Sequence, residues 1–392
     1  MSVEIRAIRF HRVASARIYK TKVAPMGGHE GGKLGSEYLV IELETTDGSV
    51  GLGEVSDIES DWGAIPWEQV HDLMNDVLVG RKLAERASLI DEVATRLPDG
   101  LHRELRVALR AAVEAALLDA TARVRGIPVY DLLGGLKRRS VLISWVAFIG
   151  NEDGIDAEIQ EKADGGFKAF KLKVGADHYS DLERIKVVRR IAPDAHIRVD
   201  ASGEWTPDEA IAKLDEMHAL GVRAVETPIQ SVARSVAKNA PETVNENVEA
   251  IAEELASVKA AVSVRVIEHV SDFDDAFSLA LAQHGSVDVF NVLPGQAGGV
   301  LRAQRLIHLA EMSGIDVLLG STVELSPGTA VALHLGAACE GVTEASDLVG
   351  PGLLVDDVCE RPLAYTNGVL RVGDEAGLGV VLSGRKLEVL GA

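Results

Sequence analysis

From Val141 onward the chain alternates short apolar runs with amphipathic stretches at a nearly constant step, and few folds satisfy that pattern. Candidate strands lie at 141–149, 168–174, 196–201, 223–228, 262–267, 287–293, 315–320 and, more weakly, 342–346. Between them, stretches at about 154–165, 178–192, 207–219, 246–260, 272–284, 299–313 and 327–339 repeat apolar residues at helical spacing. Lys173 to Asp200 is 27 residues, Asp200 to Glu226 is 26, Glu268 to Leu293 is 25 and Leu293 to Ser321 is 28. Only Glu226 to Glu268, at 42, breaks the step, and an insertion around 231–245 accounts for it. Seven or eight βα units of this length close into a parallel barrel, not an open doubly wound sheet. No glycine-rich dinucleotide fingerprint follows any of these strands, which weakens the open-sheet alternative further.

The flanking segments have a different texture. Residues 3–55 read as strands, with Tyr38–Leu43 leading through the Thr46-Asp47-Gly48 turn into Val50–Gly53. Residues 67–126 carry helical patterning, strongest over 105–125. Strands followed by helices predict an α+β unit over 1–137, a (β/α)₇β barrel over 138–352, and a tail, 353–392, that returns to the first unit. The glycine-dense 25–35 stretch, with Met26, His29 and Glu30, is expected to be a loop that shapes the substrate pocket.

The net charge of -20 argues against nucleic-acid and anionic-membrane partners, which need clustered basic residues. No apolar run reaches membrane-span length, and no secretory signal is read at the start. With only Cys339 and Cys359, neither a disulfide framework nor a thiolate metal site is expected, and the cytoplasm is the default compartment.

In a parallel barrel, residues at the carboxyl ends of the strands face the ligand-binding mouth. Lys171 and Lys173 are two apart, so both point to one face while Phe170, Leu172 and Val174 point to the other. The outer face must pack on apolar helices, so the lysines are the inward pair. Asp200, Glu226 and Glu268 end the next three strands, and clustered carboxylates call for a hard divalent cation. All-oxygen ligation without Cys or clustered His points to Mg²⁺. Such an ion can hold a substrate carboxylate and stabilise the enolate formed when Lys173 removes the neighbouring proton. His269, Glu324 and Asp347 are further candidates for substrate contact, though each has an ordinary loop or strand-end reading as well.

Together, Phe170–Gly175, Arg198–Ala201, Val225–Pro228, Val287–Val292, Gly298-Gly299, Gly320–Glu324 and Asp347–Pro351 resemble the mandelate racemase/muconate lactonizing enzyme branch of the enolase superfamily. The resemblance covers nearly the whole chain. It implies a capped (β/α)₇β, TIM-like barrel, an essential Mg²⁺ and abstraction of a proton α to a carboxylate on a small carboxylic acid. Lys173 then corresponds to the base and Lys171 to its electrostatic partner, with Asp200 and Glu226 as metal ligands and Asp347 as the eighth-strand carboxylate. Relatives of this architecture are often homo-oligomers, dimers or octamers.

The departures from that pattern bear on the reaction. Ser202 stands where the family usually has Asn, and Ile267-Glu268 replaces the usual acidic pair, leaving Glu268 as the only acidic third ligand. Leu293 and Gly320-Ser321 occupy the positions of the opposite-face bases. A two-base racemase route needs an acid or base on each face of the enolate. With Lys173 alone, a one-base lyase (dehydratase) or cycloisomerase is the expected reaction. The alternatives are an epimerase using His269 or Glu324 as a second acid, and a binding barrel without turnover.

Overall fold

The computed structural model describes residues 3–25, 32–230 and 248–392; Met26 and the 231–245 insertion therefore lie outside the described residues. Strands β1 (Ile5–Thr21), β2 (Lys33–Thr45) and β3 (Val50–Val55) form an antiparallel sheet in that order. Strand β2 is apolar on both faces because both faces are covered. Leu39, Ile41 and Leu43 pack under helices α1 (Trp67–Leu78), α2 (Arg86–Arg96) and α3 (Arg103–Arg125), while Tyr38 and Val40 join the core shared with the barrel. Helix α3 lies against β3 at backbone contact. A Cβ at Gly51 or Gly53 would meet the carbonyls of Ala116 and Ala112, so glycine is required there. Helix α4 (Val129–Leu132) then leads towards the barrel.

The barrel runs through β5 (Ser144–Ala147), α5 (Ile155–Asp164), β6 (Ala169–Lys173), α6 (His178–Ile191), β7 (His196–Asp200) and α7 (Pro207–Ala219). It continues through β8 (Val222–Glu226), α8 (Val248–Ala261), β9 (Arg265–His269), α9 (Asp275–His284), β10 (Val289–Val292), α10 (Val300–Ser313), β11 (Asp316–Leu319) and α11 (Ser326–Ala338). The parallel sheet takes β5 to β11 in sequential order. Outward residues such as Phe170, Leu172, Val199 and Phe290 pack on the helices, and Ala224, Ile267, Val289 and Leu318 fill the lumen.

The first expected strand, 141–149, is split into β4 (Ser140–Leu142) and β5, and two others differ more. The eighth, 342–346, is not a regular strand but a stave held by single bridges, Val317 to Val342 and Ile143 to Ser346. Asp347 N donates to Leu319 O at 2.7 Å and Ser144 N to Ser346 O at 2.8 Å, which links β11 back to β5. Ser346 Oγ accepts from Leu319 N at 3.0 Å, so a side chain supplies an acceptor that a regular ladder would take from the backbone. The fifth strand, expected at 262–267, begins at Arg265 and ends at His269 because α8 and its exit turn take up the preceding residues.

Beyond α12 (Gly350–Leu353), the tail touches both units. Strand β12 (Val369–Arg371) pairs with β4 (Ser140–Leu142), and α13 (Gly384–Leu390) lies near β1, where Gly391 bridges Val13. Among the described residues, no helix is long and apolar enough to cross a membrane.

Candidate active site

Alternate staves contribute one layer of the lumen, as parallel-barrel geometry requires. It consists of Lys171 from β6, Glu226 from β8, Asn291 from β10 and Asp347 from the eighth stave. Lys171 Nζ donates to Glu226 Oε2 at 2.8 Å and Asp347 Oδ2 at 3.0 Å, and Asn291 Nδ2 donates to Glu226 Oε1 at 2.8 Å. Arg198 of β7 reaches Asp347 from the next layer and donates to Ala345 O at 2.8 Å. At the end of β7, Asp200 Oδ2 lies 2.9 Å from Lys171 Nζ and 2.6 Å from Lys173 Nζ. Its other oxygen accepts from Ser202 N at 2.8 Å and Ser202 Oγ at 3.1 Å. Ser202, at φ 49, adopts a strained backbone conformation that turns its amide onto the carboxylate.

The electrostatics follow from this packing. Burial pushes the Asp200 carboxyl up, but the two ammonium groups outweigh it and hold it well below the usual carboxylate range. For Lys171 burial opposes charge, yet Asp200, Asp347 and Glu226 together push its pKa above the ordinary lysine value. Three cations, Lys171, Lys173 and Arg198, face three carboxylates. Of the three cations Lys173 is the most exposed, its side chain 17% exposed against 5% for Lys171 and 1% for Arg198.

That cavity, of about 250 Å³, lies between barrel and cap. The barrel supplies Lys171, Lys173, Glu226, His269, Asn291, Leu293 and Asp347; the cap supplies Arg17, Lys22, Lys33, Asp57 and Glu59. Arg17 pairs with Asp57 at 3.0 Å, and Lys33 spans Asp57 at 2.8 Å and Glu59. Sequence reasoning missed this cap set and Asn291. The cap residues lie on antiparallel strands whose pattern does not reveal which loop closes over the barrel. Asn291, by contrast, was detectable from its inward parity on β10.

Glu268 requires a correction. Hydrogen-bonded registry runs Lys173, Asp200, Glu226, Ile267 across β6 to β9, so the third position of the acidic row is apolar. Glu268, one residue on and of opposite parity to Ile267, does not line the cavity; it is fully buried and accepts from Thr227 Oγ1 at 2.7 Å and His269 N at 2.9 Å. Among the described residues no three His, Cys, Asp or Glu side chains converge enough to hold a metal ion. The residues present therefore do not fit the expected Mg²⁺ site: Asp200 and Glu226 are committed to ammonium groups, and Ile267 offers no donor.

Burial pushes the Glu268 carboxyl up to about 8, from an ordinary value of 4.5. The folded chain thus retains a proton there that the unfolded chain releases, and stability falls as pH rises between those values. Glu268→Gln keeps both accepted hydrogen bonds and removes that ionisation. Its thermal midpoint relative to wild type should rise by several degrees between pH 5 and pH 8.5. An offset that does not change with pH would contradict this reading of Glu268.

The remaining candidates are distributed unevenly. His269 lines the cavity on β9, its Nε2 3.1 Å from Asp272 Oδ2. Burial lowers its pKa, but Asp272, with Glu226 and Glu268, more than compensates and raises it overall. Glu324 does not enter the cavity; it accepts from Thr322 N at 2.8 Å, Thr322 Oγ1 at 3.0 Å and Ser321 Oγ, tying the loop after β11. Asp347 lines the cavity but is engaged by Lys171 and Arg198.

The fold is a capped parallel barrel whose lumen carries an inward lysine pair facing strand-end carboxylates. Residues 154–386 match the enolase C-terminal domain-like family, and residues 16–134 match the mandelate racemase/muconate lactonizing enzyme N-terminal domain. The chain belongs to the mandelate racemase/muconate lactonizing enzyme branch of the enolase superfamily, as an isomerase or lyase of that group. It is 26% identical over 389 residues to muconate cycloisomerase 1-1 of Acinetobacter lwoffii, covering 98% of this chain and 93% of that one. It is 25% identical to the L-Ala-D/L-Glu epimerase of Bacillus subtilis, covering 88% and 89%. The crystal structure of 2-chloromuconate cycloisomerase from Rhodococcus opacus 1CP superposes with a TM-score of 0.82, 25% identity and coverage of 99% and 100%. The family acts on small carboxylic acids and is generally metal-dependent, so the donor set of this chain is a departure within it.

Proposed function

We propose that this chain catalyses a one-base proton transfer at the carbon next to a carboxylate of a small acid, in a cycloisomerisation or a syn β-elimination. Lys173 removes the proton and the same group returns or redirects it. The observation that carries this reading is that Lys173 lines the cavity and is the most exposed cation of the inner network, paired with one carboxylate where Lys171 is held among three. Leu293, apolar and cavity-lining, supports a single base, because the inward β10 position offers no proton acceptor. The relatives named as cycloisomerases support the same reaction class. No step is assigned to Mg²⁺, because the donors do not fit it. Cap residues Arg17 and Lys33 are suited to hold the far end of an anionic substrate, and assembly into homodimers or octamers belongs to the same reading.

One observation favours a second reading. His269, backed by Asp272, lines the cavity from β9, three staves around the barrel from β6, and an epimerase relative exists. The test is a panel of acid sugars, muconate-like diacids and N-acyl or dipeptide acids turned over in deuterated water. The one-base reading expects deuterium on a single face with one stereochemical outcome; a racemised, fully deuterated α-carbon would establish the epimerase instead.

A further inference from the structure

The disagreement between this donor set and a divalent cation can be carried further. We infer that the barrel mouth is built to work without a bound divalent ion, with the Lys171 ammonium serving as the cation that holds the strand-end carboxylates together. Three observations independent of one another lead there.

The first is registry. Backbone pairing fixes which residues share a row, whatever rotamers the side chains adopt, and on β9 that residue is Ile267. Its side chain packs with Ala224, Val289 and Leu318 in the lumen. Sliding β9 by one residue to bring Glu268 inward would turn Val266 and Glu268 into the lumen and Ile267 into the helical shell. It would also break the pairing with both neighbouring strands. An alternative conformation of Glu268 alone therefore does not restore the ligand.

The second is occupancy. Lys171 Nζ lies 2.9 Å from Asp200, 2.8 Å from Glu226 and 3.0 Å from Asp347. An ammonium has three protons, and three carboxylates satisfy them. The group is a primary ammonium placed between carboxylates of three staves, so a metal bound there would have to displace it.

The third is charge. Lys171, Lys173 and Arg198 against Asp200, Glu226 and Asp347 make a formal balance of three to three. Adding a divalent ion to a buried set already in balance leaves two positive charges uncompensated, which a low-dielectric interior strongly opposes. A hard cation is retained by a surplus of anionic oxygen, and here there is none.

This inference does not rest on the assignment of Lys173 as base, because its test counts bound ions and needs no substrate. The full chain is dialysed against EDTA and titrated with Mn²⁺, with free ion followed by electron paramagnetic resonance and binding heat by calorimetry. No saturable site tighter than about 1 mM that depends on Asp200 is expected in wild type. Ile267→Asp completes the acidic row and should acquire one site per chain, at least about tenfold tighter. Lys171→Met leaves three carboxylates facing two cations and should gain affinity in the same direction, which keeps the test decisive if either variant folds poorly. A site in wild type that Asp200→Asn abolishes would overturn the inference. Sites that survive Asp200→Asn lie elsewhere and leave it standing.

Discussion

Lys173→Ala lowers turnover of any substrate found for this chain by about 10³-fold or more, while the protein stays folded. A positioned acid–base group contributes roughly 10²- to 10⁴-fold, and the other lysine of the inner network, Lys171, is far less exposed than Lys173. Lys171 cannot substitute: its three protons are taken by Asp200, Glu226 and Asp347. The fold should tolerate the change because Asp200 keeps Lys171 and both Ser202 contacts. Steady-state kinetics with circular dichroism as a folding control decides the matter. Turnover within about tenfold of wild type would remove Lys173 from its role.

Lys171→Met has its largest effect on stability. It removes one buried cation from three buried carboxylates, and breaking such an arrangement by taking one partner away costs about 3–5 kcal/mol. In a chain of this size that corresponds to a drop in apparent thermal midpoint on the order of 5 °C. Methionine preserves most of the side-chain volume, so lost charge and not a cavity is what the measurement reports. Differential scanning calorimetry at neutral pH should show the drop, and acid should narrow it as the stranded carboxylates take up protons. A midpoint within 1 °C of wild type would show that the carboxylates do not depend on Lys171.

The barrel was legible because a strand that points alternate residues at a lumen and a helical shell leaves a strong period in the sequence. Lys171 and Lys173 could be placed inward for that reason. The row Asp200–Glu226 followed from the same step length and is paired as expected in the structure. Glu268 was named for the acidic row as the only acidic choice of the Ile267-Glu268 pair, whereas backbone pairing sets Ile267 opposite Glu226. That choice rested on chemistry expected of the family, which strand pairing alone does not carry. The eighth stave was faint for a physical reason: it is held by isolated bridges and a serine hydroxyl, so little of it needs to read as strand. Ser202, met as a departure from the family pattern, holds Asp200 through its amide and hydroxyl. Arg17, Lys33 and Asp57 come from β1, β2 and the segment after β3, and only the docking of cap on barrel brings them to the mouth. Nothing local in the sequence marks them.

In the proposed reaction, Lys173 at the end of the second barrel stave takes a proton from carbon beside a carboxylate. Proton NMR of a turned-over acid in deuterated water tests it most directly. Wild type should wash deuterium into the α-position, and Lys173→Ala should leave that position fully protonated over the same interval. Wash-in that persists undiminished in Lys173→Ala would contradict it.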